Sequence, residues 1–433
     1  MGRHEDSERA REAARSICQR LQGAGHIAYL AGGCVRDELL GLDPTDYDVA
    51  TDATPDRIRS LFAKTSEVGA AFGVMLVRDH GDTIEVATFR EEGAYTDRRR
   101  PDEVRFSTPE RDAARRDYTV NALFLDPIAA GDRDTGPTGL GAIHGHVIDF
   151  VGGMDDLHAK LIRAVGDPDA RLAEDHLRAL RAVRLAARLG FEIDGATAAA
   201  IREHASELSG VSRERIGDEL RRIMSHPSRA RGARLLTELG LDAPVFGEPW
   251  PVQSLALLER LDADTPVPTV LAAWAIDRGL ALDDRAIEAL VSHWRAALML
   301  SNEERDAMRG VLNALRSIHD DWGSMRVAPR KRLASSAWFG EAHRILAAQD
   351  DRLAGEVTDD VRALRATPTG LSPTPLLTGD DLVALGYRPG PGFKGLLDAV
   401  YDAQLEGGVV SREQAVELAR PRLRRTALRV GDK

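Results

Sequence analysis

Strand-type patterning in this chain stops near residue 150, and helical periodicity dominates from there to residue 433. This division constrains the fold more than any other feature. A chain that spends its β-forming segments in its first third can build one sheet, at its N-terminal end, and must complete itself with helices. Residues 6–22 carry an amphipathic helical pattern. HIAYLAGG (26–33) reads as a short strand ending in glycines, VRDELLG (35–41) as a helix closed by Gly41, and DYDVAT (46–51) as a second strand. Thr54 and Pro55 stand as N-cap and first residue of a further helix. FGVMLVR and TIEVATFR flank DHGD in the manner of a hairpin, and RRDYTVNALFLDP (115–127) reads as a helix or strand closing the unit. Beyond it, ARLAEDHLRALRAVRLAARLGF (170–191) predicts one strong helix stopped by Gly190. RERIGDELRRIM, VQSLALLERLD, DRAIEALVSHWRAALML and REQAVELARPRLRR continue the helical pattern, and the Pro- and Thr-rich ATPTGLSPTPLLTG (366–379) reads as a connector.

Composition sets the class. Apolar residues make up 43% and charged residues 29% of 433 residues, which describes a globular chain of about two to four domains. No apolar run approaches the roughly 18 residues of a membrane span, and the mixed-charge start MGRHEDSERAREAARSI lacks a signal-peptide core, so export is not expected. Cys18 and Cys34 have no metal-type spacing and suit a reducing cytoplasm. The net charge of −11 argues against a polyanionic partner until its distribution is considered. Only five of the 58 basic residues are lysines. An arginine-rich composition follows from a GC-rich genome, but the planar guanidinium is also the better fork for phosphate, so local placement decides.

One stretch concentrates chemistry. In LAGGCVRDELLGLDPTDYDVAT (30–51), Asp46 and Asp48 are two residues apart in a predicted strand, which sends both carboxylates to one face with Tyr47 on the other. Like charges so placed repel unless a cation lies between them, and a hard divalent ion such as Mg²⁺ suits carboxylates plus substrate phosphates. A lone Asp-X-Asp is usually a solvated turn. Gly32 and Gly33 change that weighting: they let backbone approach a ligand, the following helix offers N–H groups to an anion, and Arg36 is one turn in, either on a phosphate or paired with Asp37. Together the halves describe a triphosphate held beside metal ions, the arrangement of two-metal phosphoryl transfer. Glu85, on TIEVAT, is either a third carboxylate or an exposed strand residue.

Five linked motifs resemble one family. LAGGCVRDELLG, DYDVAT, RRDYTVNAL, EDHLRALRAVRLAARLGF and SRERIGDELRRIM are similar, in order and spacing over about residues 25–230, to the bacterial-type (class II) tRNA nucleotidyltransferases and poly(A) polymerases. LTGDDLVALGYRPGPGFKGLLDAVYDAQLEGG resembles the family's tail. The resemblance implies an α/β, polymerase-β-like nucleotidyltransferase head followed by an all-α neck, body and tail. The divisions would be an N-terminal helix (1–24), head (25–150), neck (151–235), body (236–370) and tail (371–433). It implies Asp46 and Asp48 as Mg²⁺ ligands and catalytic residues, and Gly33, Arg36, Arg116, Asp175, Arg178, Arg181 and Arg184 as nucleotide-binding residues; Glu85 is a candidate catalytic residue from its strand alone. It implies CTP and ATP as substrates and the tRNA 3′ end as partner, with no membrane. The activity would be CCA-adding or A-adding. Poly(A) polymerase is the alternative, and a catalytically silent RNA-binding relative is disfavoured because both aspartates are present.

Hydrogen-bond types then suggest how a base is chosen without a template. Cytosine and adenine both present a ring acceptor beside an amino donor, whereas uracil and guanine present the reverse. An ionised Asp only accepts and an Arg only donates, so Asp175 with Arg178 suits C and A and leaves groups unmatched against U and G. His176 stands where the family usually has Pro, and Arg98 where the loop YTDRRRPDEVRF (95–106) commonly has Gly. Arg98, Arg99, Arg100, Arg105, Arg111, Arg115 and Arg116, then Arg213, Arg215, Arg221 and Arg222, are candidate RNA contacts. His319-Asp320 is an isolated His-Asp pair, too little for a metal phosphohydrolase.

Overall fold

The computed structural model describes residues 2–69, 73–92, 104–129, 134–135, 142–247, 254–385, 389–390 and 392–428. The chain forms two compact units, Met1–Trp250 and Pro251–Lys433.

The first unit opens with helix α1 (Gly2–Gly23) and a sheet. Its strands are β1 (Ala28–Ala31), β2 (Asp48–Thr51), β3 (Thr65–Gly69), β4 (Val74–Asp79) and β5 (Asp82–Thr88), joined later by β8 (Phe124–Asp126) and β11 (His146–Ile148). The order across the sheet is β11-β8-β1-β2-β5-β4-β3. Among the described residues of this sheet only β2 and β5 pair in parallel, and their register sets Asp48 opposite Glu85. The tight turn of the β4–β5 hairpin is His80-Gly81, both at positive φ (45° and 89°), as a two-residue hairpin requires. Two-stranded ribbons pair β6 (Arg90–Glu92) with β7 (Val104–Phe106), and β9 (Asp134–Thr135) with β10 (Ala142–Ile143). Between strands lie α2 (Gly33–Leu39), α3 (Pro55–Leu61) and α4 (Pro109–Ala114). Thr54 caps α3 by accepting from Arg57 N, as its sequence predicts.

Alternation along the strands divides the sheet's two faces. Ala13, Ala14, Ile17, Cys18 and Leu21 are fully buried along α1, which packs on β1, β2, β4 and β5. On the opposite face Ala31, Ala50, Phe89 and Phe124 form a second apolar cluster, with Phe89 and Phe124 edge to face at 5.9 Å. Asp48 is two residues before Ala50 and so stands on this second face, where the apolar cluster ends.

Helices complete the unit, α5 (Gly153–Ala159), α6 (Pro168–Glu174), α7 (Arg178–Leu189), α8 (Gly195–Glu203) and α9 (Arg213–Met224) within the expected neck, then α10 (Arg229–Glu238) and α11 (Asp242–Phe246). The long helix expected over 170–191 is broken. Asp175 is extended (φ −154°, ψ 102°) and separates α6 from α7, because its Oδ1 accepts from Leu177 N at 3.1 Å and closes a local turn that competes with the helix. Gly190 ends α7 in the left-handed conformation, as expected.

In the second unit the described residues form helices, among them Val267–Asp277, Asp284–Leu298 and Asn302–Asp321. Trp274 and Trp294 meet edge to face at 6.1 Å. The segment read as a connector is anchored: buried Lys331 donates from Nζ to Thr367 Oγ1 and Thr369 Oγ1, both at 2.7 Å, and to Leu405 O at 3.0 Å. Leu377, Leu382, Leu396, Val400, Val409 and Ala415 then pack a small terminal core.

One glycine tests how α5 packs on the sheet-bearing part of the unit. A Cβ on buried Gly153 would sit 2.3 Å from Thr119 O, a backbone atom that cannot yield. Gly153→Ala is expected to destabilise by about 1–3 kcal/mol, read as a fall of several degrees in the thermal midpoint by circular dichroism. Gly195→Ala, with open space around its Cβ, should leave the midpoint unchanged or raised.

Candidate active site

Gly32 joins β1 to α2 at φ 81°, where other residues are strained. Its missing side chain makes room for protein rather than ligand: a Cβ there would lie 2.9 Å from Arg116 Nη1. Arg116 is fixed on all sides. Nη1 donates to Asn121 O at 3.0 Å, Nε and Nη2 donate to Asp112 Oδ2 at 3.2 and 3.1 Å, and the guanidinium lies 4.9 Å over the Phe124 ring. Arg36, 3% exposed, donates to Asp37 Oδ1 from Nε (2.8 Å) and Nη2 (2.7 Å), and from Nη1 to Asn121 Oδ1. Of the two roles open to Arg36 in the sequence, the pairing with Asp37 is the one present.

Burial alternates over residues 46–49 as expected of a strand: Asp46 and Asp48 are exposed, Tyr47 and Val49 buried. The strand itself starts at Asp48, so Asp46 sits in the turn before it. Tyr47 donates its hydroxyl to Glu38 Oε1 at 2.8 Å, which turns the ring away from the acids. The Asp48 carboxylate reaches solvent, yet protein crowds it on its other sides. That desolvation, then repulsion from Asp46 and Glu85, pushes its pKa up to about 6 against a smaller opposing pull from Arg116.

These residues line one cavity of about 690 Å³. Gly32, Gly33, Arg36, Asp46 and Asp48 contribute from the head, with Arg116; Asp175, Arg178, Arg181 and Arg184 contribute from the neck. Of the predicted site residues only Glu85 is absent from this wall, although it is exposed and opposite Asp48. Ten arginines and five aspartates face the space. The excess of positive charge suits a polyanion.

The neck side differs from the expected helical row. Asp175, outside the helix, accepts from Arg215 Nη2 at 2.7 Å on Oδ2. Arg178 Nη1 donates to Arg171 O at 2.5 Å and to Glu174 Oε2. Arg184 Nε donates to Glu219 Oε2 at 2.7 Å, and Arg181 and Arg222 lie 3.9 and 3.4 Å from Glu219 Oε1. Arg188 joins neck to head through Asp37 Oδ2 at 2.8 Å.

The sequence reading missed the residues that organise this wall: Asp37 as an anchor, Asp112, Asp117, Asn121, Arg188 and Glu219. Asp112 had a local signal, since Arg115 and Arg116 follow at helical spacing. Asp37 stands beside Arg36 and Glu219 is three residues before Arg222, but their contacts to Arg188 and to Arg181 and Arg184 are long-range and had no local signal. Among the candidate RNA contacts, Arg213 donates to Pro244 O and Val245 O and Arg221 pairs with Asp218 at 3.2 Å, while Arg105 and Arg111 are exposed. Arg98, Arg99 and Arg100 lie outside the described residues. His319 Nε2 is 2.9 Å from Gln349 Oε1.

A mixed head sheet with clustered carboxylates on its central strands, opening on an arginine-walled cavity shared with a helical neck, defines a nucleotidyltransferase. Comparison with known proteins agrees. The Poly A polymerase head domain matches residues 28–163, and the probable RNA and SrmB-binding site of polymerase A matches residues 190–252. A CCA-adding enzyme of Levilactobacillus brevis is 33% identical over 392 residues, 89% of this chain and 91% of that protein. One of Geobacillus thermodenitrificans is 40% identical over 237 residues, 54% of this chain and 55% of that one. The crystal structure of Bacillus stearothermophilus CCA-adding enzyme in complex with CTP superposes with a TM-score of 0.78 at 28% identity, covering 96% of this chain and 98% of that one. The chain belongs to the CCA-adding enzyme family, the nucleotidyltransferases that extend tRNA 3′ ends.

The raised Asp48 pKa has a direction that stability can read. The folded state holds this proton to about pH 6, whereas an unfolded aspartate loses it near 3.9. The Asp48 contribution to the stability of the metal-free protein should therefore fall as pH rises between about 4 and 6 and then level off. Asp48→Asn removes that loss, so its thermal midpoint should exceed the parent's above pH 6 and converge with it below pH 4. Parallel curves across pH would show that Asp48 carries no such strain.

Proposed function

We propose that this chain adds C and A residues from CTP and ATP to the 3′ end of tRNA in the cytoplasm, with Asp46 and Asp48 holding Mg²⁺. The observation that carries the reading is the placement of both aspartates in one cavity with ten arginines. The site suits a hard divalent ion. Its donors are carboxylate oxygens, and the Asp48 carboxyl is pushed upward by neighbouring acids that a cation would neutralise. When bound, Mg²⁺ supplies charge neutralisation at the phosphates and favours the deprotonated 3′-hydroxyl as nucleophile.

The chain's own groups position the reactants. Arg116 is held rigid by Asp112, Asn121 and Phe124, so it offers charge to a triphosphate with little reorganisation. Arg36 shapes this corner through Asp37 and Asn121. Gly33, the first residue of α2, brings no side chain of its own to the cavity wall. Glu85 adds negative charge behind Asp48 and strengthens its demand for a cation. On the neck, Asp175 accepts and Arg178 donates, the pair that suits the Watson–Crick edges of C and A. Arg181 and Arg184, steered by Glu219, face the same space.

Two experiments test this reading. The double variant Asp46→Ala/Asp48→Ala should lose nucleotide incorporation while keeping tRNA affinity within a few-fold. The parent is given tRNAs ending before CCA, after one C and after CC, each with CTP, ATP or both, and product lengths are read on a gel. Completion of CCA from every start supports a full CCA-adding enzyme, and a single A added only after CC marks an A-adding one. Unlimited A-tails, or incorporation by the double variant, would overturn the assignment. Separately, Asp175→Asn introduces a donor where only acceptors stood. Its preference for CTP over UTP in kcat/KM should fall by roughly 10–100-fold; an unchanged ratio would remove Asp175 from base selection.

A further inference from the structure

The neck contains a second group of ligand-type side chains that the transfer chemistry does not use. His176, in the turn between α6 and α7, is 3% exposed, and its Nε2 lies 3.0 Å from Glu207 Oε2. The other oxygen of Glu207, Oε1, lies 3.2 Å from His204 Nδ1. The two imidazoles stack with centroids 5.9 Å apart and 28° between their planes. One ligand atom from each of the three residues falls within 4.8 Å of the other two. They come from three places in the fold: the α6–α7 turn, the end of α8, and the 3₁₀ turn at Ala205–Gly210.

The geometry points to a divalent metal site of the zinc class, with His176 Nε2, His204 Nδ1 and a Glu207 oxygen as its protein ligands. Zinc holds nitrogen and carboxylate oxygen at about 2.0–2.2 Å in a tetrahedron, which spaces neighbouring ligand atoms by about 3.3–3.6 Å. The two His–Glu separations, 3.0 and 3.2 Å to different oxygens of Glu207, are slightly shorter than this, and all three ligand atoms lie within 4.8 Å of one another, so a modest turn of the carboxylate and the rings brings them round one ion. The outer arrangement fits as well. A metal-bound imidazole usually gives its far nitrogen to a carboxylate, and His204 Nε2 lies 3.4 Å from Asp169 Oδ1 on α6. Glu207 is 39% exposed at its side chain, which leaves access for the ion and a fourth position for water.

A proton serves this cluster less well than a metal. Two stacked imidazolium ions repel, so one carboxylate between them stabilises one charge at a time. A divalent cation takes a lone pair from each ring and from the carboxylate at once. The donors also separate this site from the catalytic one. Mixed imidazole and carboxylate suits zinc, whereas Mg²⁺ prefers oxygen alone. His176 is the residue after Asp175, so a metal here would pin the turn that presents Asp175 to the cavity onto the end of α8.

The test uses the full-length, tag-free chain carrying Asp46→Ala/Asp48→Ala, so that the cavity carboxylates do not contribute. After dialysis against chelator it is titrated with Zn²⁺ and separately with Co²⁺, with bound metal quantified and the visible cobalt spectrum recorded. One equivalent of Zn²⁺ bound at micromolar or lower free metal is expected, with the intense cobalt bands of a tetrahedral site. In the same background His204→Ala and Glu207→Gln should each weaken affinity at least tenfold, and Asp169→Asn about tenfold. Glu207→Gln nearly preserves size and shape, and circular dichroism verifies folding of each variant. Absence of stoichiometric binding would overturn the proposal. So would binding that neither His204→Ala nor Glu207→Gln weakens, or a cluster that responds to pH and not to Zn²⁺.

Discussion

Three buried carboxylates hold seven of the cavity's ten arginines in place. Asp37, Asp112 and Glu219 are 3%, 2% and 4% exposed. Asp37 holds Arg36 and Arg188, Asp112 holds Arg115 and Arg116, and Glu219 gathers Arg181, Arg184 and Arg222. Ten guanidiniums around one space would otherwise repel and swing outward. A buried acid that loses its partners, or an arginine that loses its acid, leaves an uncompensated charge in a medium that solvates it poorly. The pairings therefore do two jobs. They fix each planar fork at a set angle, and two of them join separate elements, α2 to α7 through Asp37 and α9 to α7 through Glu219. What remains after this neutralisation is an excess of positive charge directed into the cavity of a protein whose net charge is −11.

The same constraint gives Gly32 its meaning. A glycine pair before a helix suggests a backbone opened to a phosphate. Here the space beside Gly32 is taken by Arg116, so the side chain that a phosphate would meet has displaced the need for the backbone to meet it. The sheet completes the arrangement. Parallel pairing of β2 and β5 places Glu85 beside Asp48, and alternation puts both on the face whose apolar part is filled by Phe89 and Phe124. The acids stand where that core ends, which crowds them enough to raise Asp48 and still leaves them open to solvent.

Local features of the sequence carried over well, and long-range ones did not. The division between an α/β start and a helical remainder is periodicity, the Thr54 cap is a one-turn interaction, and the exposure of Asp46 and Asp48 about buried Tyr47 is strand alternation. All are written within a few residues. The break at Asp175 is not, because apolar periodicity runs straight through residues 170–191. What stops the helix is a side chain bonded to Leu177 N and held by an arginine 40 positions later. The arginine partners were equally hidden: Asp37 and Arg188 are 151 positions apart. The metal-type cluster shows both cases. His204 and Glu207 lie at a spacing that can be noticed, whereas His176 joins them only because α6 and α8 pack together.

For the base selection proposed for Asp175, its non-helical position matters. On a regular helix its side chain would follow the row of Arg178, Arg181 and Arg184 and point where the helix points. Out of the helix, it is aimed instead by two bonds, one oxygen to Leu177 N and the other to Arg215. An ionised carboxylate has about four acceptor sites on its two oxygens, so these bonds orient the group and leave acceptor capacity for an amino donor. A base that brings a carbonyl to that position meets only lone pairs. Selectivity of this kind depends on the carboxylate being unable to turn away, and the Arg215 contact supplies that restraint from α9. Under the proposed role of Asp175, the residue that would accept the base and the residue that restrains it lie on different elements, so discrimination between C or A and U or G would depend on how α9 packs beside α7 as much as on Asp175 itself.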